Sequence, residues 1–286
     1  GGVFVDQNEG IVTFTGAITA NNFNAVELND TRANVTFGNT ADITHTGAGD
    51  AMLITNAGSN TTNTAQVTVS GDITNSDGHS VRISGGDGAI TFNGAINDTG
   101  TGVSVTDRAN VAAAVTVFNG QTTLTTGAND ALTLTNNGAL SATSFSNLDI
   151  TTTGAGRGVI GNNSGVLNIT GTGNTIATET GRAIDLTGGS SGNGIVFESV
   201  NVDGADRAIL LSDFNGVATV NGGTMTTTGQ TIQTENSGLV LDDVVIDSGT
   251  DQAISVTVGN ATSRTVSLTN VDANGGDLTL RTTAGA

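Results

Sequence analysis

Ala89-Ile90-Thr91-Phe92-Asn93-Gly94-Ala95-Ile96-Asn97-Asp98-Thr99-Gly100-Thr101-Gly102-Val103-Ser104-Val105 holds three short strand-like runs separated by turn residues. Ile90-Thr91-Phe92 and Val103-Ser104-Val105 alternate apolar and polar side chains, the two-residue period of a strand, and Ala95-Ile96-Asn97 is the short run between them. Asn93-Gly94 and Thr99-Gly100 supply the turn chemistry between them. The same plan occupies Val35-Thr36-Phe37, Asp42-Ile43-Thr44-His45, Gly47 and Ala51-Met52-Leu53-Ile54. No 3.6-residue apolar period persists, so no helix is expected.

Outward from this stretch the plan repeats. A small polar residue followed by Gly recurs as Thr46-Gly47, Asp77-Gly78, Thr99-Gly100, Thr126-Gly127, Thr153-Gly154, Thr180-Gly181, Asp203-Gly204, Thr228-Gly229, Ser248-Gly249 and Asn274-Gly275. A second column, the last apolar residue of a short strand, reads Phe14, Phe37, Val69, Phe92, Val117, Phe145, Ile169, Phe197, Val220, Leu241 and Leu268. Both recur roughly every 25 residues and divide the chain into about eleven units. Three short strands per unit predict an all-β fold: a right-handed parallel β-helix of about eleven coils, forming one domain over residues 1–286. At ~4.8 Å between strands the rod would be on the order of 50 Å long. Equivalent residues then stack, so the Phe column is expected to pile ring on ring. The glycine column is expected at a corner of positive φ or close backbone approach. A sandwich would need hairpins with two-residue turns, and a propeller would need a period of about 40–50 residues.

Composition fits such a building material. The 286 residues include 42 Gly and 50 Thr, and the charge is −18, from 8 arginines and 26 acids. Pro, Cys, Trp, Tyr and Lys are absent. Without Cys, and with two His, a Cys nucleophile, a disulfide scaffold and a zinc site of the usual kind are excluded. The charge argues against nucleic acid or an anionic membrane as partner. No apolar run approaches the ~20 residues of a membrane helix, and no secretion-signal pattern opens the chain. Charged residues are only 12%, too few for a disordered acidic tail, so the chain is expected to fold.

The 32-residue interval from Phe37 to Val69 places extra residues at 56–63, and Gly188–Asn193 enlarges the corresponding turn of another coil. Both follow a third strand, so loops are expected to project from one edge. Gly1-Gly2-Val3-Phe4-Val5 resembles a third strand without its first two, and Leu278-Thr279-Leu280 closes the chain without a cap. Solenoid ends normally need cover. The expectation is a segment of a longer repeat protein, or coils that associate end to end into fibres.

Residues 89–103, and Gly171-Thr172-Gly173-Asn174-Thr175-Ile176 followed by Thr180-Gly181-Arg182-Ala183-Ile184, resemble the β-strand repeats of large bacterial surface proteins. Those proteins carry pectin-lyase-like β-helices and are similar in architecture to autotransporter passengers and filamentous adhesins. The resemblance covers essentially the whole chain. It implies a secreted or cell-surface rod acting as adhesin shaft or filament subunit, with a glycan or cell-surface ligand as a further expectation. The first unit departs from the pattern, because Ala20–Asn24 lacks the corner glycine.

Polysaccharide lyases and hydrolases share this fold, so a binding or cleaving site is the alternative, and it would gather carboxylates with a basic residue. The nearest approach in sequence is Asp203, Asp206 and Asp213 with Arg182 and Arg207, then Asp242, Asp243 and Asp247. Neighbours such as Asp242 and Asp243 point to opposite strand faces and make a poor catalytic pair. His45 and His79 read as ordinary surface or turn residues. Arg157, Arg182 and Arg207 lie one per unit, but at offsets of three, one and three from their corner glycines, an imperfect stripe. Gly85-Gly86-Asp87-Gly88-Ala89-Ile90 places Ile where a calcium-binding nonapeptide needs Asp. The sequence therefore nominates no catalytic, cofactor or metal residue and no enzyme activity, and leaves only weak surface Ca²⁺ binding.

Overall fold

The computed structural model describes residues 2–58, 65–259 and 264–283. Its 34 strands form three parallel sheets of 12, 11 and 11 strands. Sheet A runs from Val3–Asp6 to Leu278–Thr283, sheet B from Val12–Phe14 to Val266–Thr269, and sheet C from Ile18–Asn21 to Asp272–Asn274. The chain visits A, B and C in turn, and each strand pairs with those one coil before and after. That is a parallel β-solenoid of about eleven coils, as the repeat predicts. Among the described residues there is no helix.

Alternation decides which side chains enter the core. In sheet A, Val26, Met52, Val81, Val103, Leu132, Val159, Ile184, Ile209, Ile232 and Ile254 are paired in one column, and all are buried. In sheet B the aromatic column stacks. Ring centroids are 4.8 Å apart for Phe14–Phe37 and Phe92–Phe118, and 4.3 Å for Phe118–Phe145. Such contacts add about 0.5–1.5 kcal/mol each beyond burial. Phe118, not Val117, occupies the column; Val117 pairs with Thr91 and is only half-buried. The strand Val115–Phe118 reaches one residue further than the alternating run suggests.

The corners are sharper than the glycine column implies. The residue following the sheet A strand is left-handed in ten successive coils: Gln7, Asp30, Asn56, Gly85, Asp107, Asn136, Asn163, Gly188, Asp213 and Asn236. Asn and Asp dominate because their short side chains tolerate this conformation better than other non-glycine residues. The predicted glycines mark a different corner, from C to A. Gly78 has φ 65° and a Cβ there would collide with the carbonyl of Gly49. Gly181 has ordinary backbone and is needed for close approach to the Gly156 carbonyl. In the first coil Asn22, with φ 65°, takes the place of the missing glycine.

Sheet C varies in width. Ile73–Asn75 and Ile96–Asp98 have three residues, while Thr122–Gly127 has six and Ser199–Ala205 has seven. Bulges at Thr125/Gly127 and Asp203/Ala205 accommodate the excess. The longer connections do project from one edge, where A passes to B. Gly188–Asn193 lies there, as does the start of the 56–63 segment, whose residues 59–63 fall outside the described residues.

Candidate functional site

Three polar features stand out, and each grows from a fixed position in the coil. The first is the position two residues before each sheet A strand. Arg157, Arg182 and Arg207 all occupy it, ahead of strands beginning Val159, Ile184 and Ile209. The stripe is therefore in register; corner glycines are a poor reference because sheet C changes width. Arg157 donates to both Asp130 oxygens, Nε at 3.1 Å and Nη2 at 2.8 Å. Asp185 lies 3.5 Å from Arg157 Nη1 and 3.1 Å from Arg182 Nη1. Arg182 also grips Asp206, Nε at 3.3 Å and Nη2 at 3.0 Å. Arg207 Nη2 donates to Gln230 Oε1 at 3.2 Å, Gln230 Nε2 donates to Gln252 Oε1 at 2.8 Å, and Gln252 reaches the Thr279 hydroxyl. One ladder thus ties seven successive coils along the rod.

Electrostatics follow the ladder. The Asp130 hydrogen bond holds Arg157 above its ordinary value, and Asp206 does the same for Arg182. The same contact holds the Asp206 carboxyl below the usual range. Burial, then the charge of Arg182, pushes Arg207 down. Among the described residues Arg207 has no carboxylate within ion-pair distance. The stripe is largely neutralised in place, so it offers little to an anionic glycan. Earlier coils repeat the arrangement on a smaller scale. Asn24 Oδ1 accepts from Asp50 N at 2.9 Å, and Asp50 Oδ1 lies 3.1 Å from His79 Nδ1.

The second feature is inside. His45, read from sequence as a surface or turn residue, is fully buried, and His79 is half-buried and paired with Asp50. His45, Asn75 and Asp98 stack in one inward column of sheet C. Asn75 Nδ2 donates to Asp98 Oδ1 at 3.1 Å and to the Gly78 carbonyl at 3.0 Å, so its Oδ1 accepts from His45 Nδ1 at 2.7 Å. Burial raises the Asp98 carboxyl against opposing hydrogen bonds from Gly100, Ser80 and Asn75. In the wider coils the same task passes two residues along: Thr126, Thr152, Thr227 and Ser248 donate to the corner carbonyls of Asn129, Gly156, Gly229 and Asp251. These are corner fasteners. The Thr-His-Thr run that carries His45 looks identical to an exposed one in sequence.

The third feature is the outward face of sheet C. Thr19 and Asn21, Thr44 and Thr46, Thr74 and Ser76, Asn97 and Thr99, then Thr123 and Thr125 form two columns of exposed or half-exposed neutral groups over five coils. Where the sheet widens, a shallow groove of about 410 Å³ opens between Thr151, Ala177, Glu179, Asn201, Asp203 and Thr224. A second groove of about 520 Å³ on the A-to-B edge is lined by Asn137, Asn163, Ser190 and Asn215.

The acidic residues singled out in sequence are not gathered. Asp203 lines the sheet C groove, Asp206 belongs to the arginine ladder, and Asp213 sits at a left-handed corner accepting from Asn236 at 2.8 Å. Asp242 ends a sheet B strand, Asp243 accepts from Asn270 at 3.0 Å, and Asp247 accepts from Gly249 N at 3.2 Å. Among the described residues no three His, Asp or Glu are placed to hold a metal ion, and no helix could cross a membrane. No protein-family profile matches the chain, and neither a curated protein nor a solved structure matches it, so functional argument rests on these residues.

Proposed function

We propose that the chain is a structural, non-enzymatic rod of a secreted or cell-surface bacterial protein, serving as an adhesin shaft or as the subunit of an extracellular filament. The observation that carries this reading is the continuity of pairing: all three sheets run from the first coil to the last. The polar side chains that recur, above all the ladder from Asp130 to Thr279, bind coil to coil instead of converging on one reactive point. A charge of −18, distributed along the coils, opposes sideways clumping of a surface rich in strands. The likeness to pectin-lyase-like passengers and adhesins belongs to the same proposal.

The rival is a β-helix that cleaves polysaccharide. Incubating the purified chain with a panel of acidic and neutral polysaccharides separates the two; the rod reading expects no turnover, and turnover lost on Asp203→Asn would overturn it. Electron micrographs of the same preparation test the filament version. Long fibres of stacked rods support it, and discrete rods of roughly 50 Å leave only the shaft.

A further inference from the structure

Charge is shared unevenly among the three faces of the rod. Glu27, Arg82, Asp185 and Glu235 point outward from sheet A. Asp149, Asp203, Asp247 and Asp272 point outward from sheet C. Sheet B differs: Asp242 is the one charged residue in its eleven strands, and it ends the tenth. The outward column there reads Thr36, Thr68, Thr91, Val117 and Ser144 in five successive strands. Val196, Thr219 and Val240 resume it further along. In a chain of charge −18 this leaves a strip about 50 Å long that presents hydroxyls and methyl groups.

The strip has an apolar centre. Val115–Phe118 and Ala142–Phe145 are its fifth and sixth strands, with Val115, Val117 and Ala142 facing out and half-buried. Beside them on the A-to-B edge, Val111 is 40% exposed and Leu140 58%, and Ala112, Ala113 and Ala139 are exposed as well. The two edge segments are neighbours, since Leu140 N donates to Asn110 Oδ1 at 3.0 Å. Apolar area gathered in one place within an uncharged border has the composition of an interface core. One raised point interrupts the strip, the turn over Asn168, whose Oδ1 accepts from Gly192 N at 3.1 Å and Asn193 N at 2.8 Å.

Charge decides what can cover this strip. A basic partner is drawn to the carboxylates of the other two faces, and an acidic partner is repelled. A second copy is repelled as well, except where its own uncharged strip meets this one. The apolar centre lies at mid-length, so a two-fold axis between the fifth and sixth strands overlays the two strips almost end to end. It sets the first strand against the copy's tenth, and the seventh, with its raised turn, against the copy's fourth, where Ala89 is small. A strip of ~50 Å by ~10–13 Å covers on the order of 600 Å² on each copy and about 1,200 Å² in all, the lower end of a specific interface.

We propose that the outward face of sheet B is a docking surface for a second copy of this chain, the two rods lying face to face and antiparallel about an axis beside Val117 and Ala142. The pair is closed, because the faces left outside carry the charge that keeps a third rod away. This goes beyond the rod reading, since a rod serves as a shaft whether single or paired. It also differs from end-to-end stacking, which lengthens a rod without widening it.

Sedimentation equilibrium of the full 286-residue chain from about 1 to 200 μM, the range suited to a small interface, tests the pairing. A monomer–dimer equilibrium is expected, and added salt should tighten it by screening the repulsion between like-charged rods. Val117→Lys and, separately, Leu140→Lys should weaken it at least about ten-fold by placing a charge in the apolar centre. Ser104→Lys makes the same charge change on the outward face of sheet A and should not weaken it. Melting curves taken at concentrations below the dimer range show that each variant is folded, and Leu140 lies on an edge turn that the coil does not need. A spin label on Ser144→Cys should report a far shorter copy-to-copy distance than one on Thr36→Cys. A chain that stays monomeric at high salt, pairing that weakens with salt, a folded Leu140→Lys variant that pairs normally, or equal loss on Ser104→Lys overturns the proposal. So do bundles three or more rods wide in micrographs. A monomer that floats with phosphatidylcholine vesicles would assign the strip to a lipid surface and overturns it too. Width and not length carries the result, so end-to-end stacking is told apart.

Discussion

Arg157 and Asp130 stand one coil apart and meet at two points, 3.1 Å and 2.8 Å, with the Arg157 backbone N–H also donating to Asp130 at 3.0 Å. A side chain from one coil thereby clasps both the side chain and the register of its neighbour. Both groups are about a third exposed, so solvent screens the pair and its coupling should be modest. A double-mutant cycle of Arg157→Met and Asp130→Asn should give roughly 0.5–1 kcal/mol, shrinking with added salt. A coupling of zero at low salt would mean that the ladder is ornamental to stability.

Phe118 has a stacked ring on each side and is 1% exposed. Phe118→Ala should cost about 3–5 kcal/mol by leaving a cavity in the column. Phe118→Leu should cost distinctly less. The same change at Val117, which faces outward, should cost under about 0.5 kcal/mol. Denaturant melts of the three variants read the ranking.

The left-handed corner after sheet A can be tested at Asp107, φ 55°. Asp107→Gly should be close to neutral. Asp107→Val should lose about 1–2 kcal/mol, because a β-branched side chain clashes in this conformation.

Two buried carboxylates should give opposite pH effects. For Asp50, burial pushes the carboxyl up, but the hydrogen bonds and charge of His79, with the charge of Arg82, together hold it below the ordinary 3.8. Its stabilisation is complete above pH 3.8 and is lost as pH falls from there through the lowered value. Asp98 is raised above 3.8, so the folded state binds its proton more tightly. The cost of its ionised form is fully present above the raised value and disappears as pH falls towards 3.8. Asp50→Asn should therefore flatten the decline below pH 3.8 and leave the Asp98 contribution in place. Melting temperature against pH for the wild-type chain and this variant is the measurement.

Strand positions were open to sequence reading because alternation and period agree within each unit, as in residues 35–54 and 89–105. The Phe column was off by one residue at Val117, where two apolar candidates flank the strand end. The arginine ladder was obscured by its reference frame: corner glycines slide as sheet C gains bulges, whereas the sheet A strands do not. The corner Asn and Asp column was hidden by the abundance of these residues in every turn. His45 could not be placed, since a polar residue between two threonines reads as exposed until its column is known. The groove depends on the small Ala177 falling between larger neighbours, a coincidence of three coils.

The rod is defined by its coil stack, and the chain offers a direct ruler because it contains no cysteine. Glu27, Ser104 and Gln233 lie in one outward column of sheet A, at its second, fifth and tenth strands. Spin labels on cysteines introduced in pairs should report about 14 Å for 27–104, about 24 Å for 104–233 and about 38 Å for 27–233, at ~4.8 Å per strand. Separations that rise in proportion to the number of coils would establish the rod. Separations that fail to add, or a 27–233 distance no longer than the 104–233 distance, would contradict it.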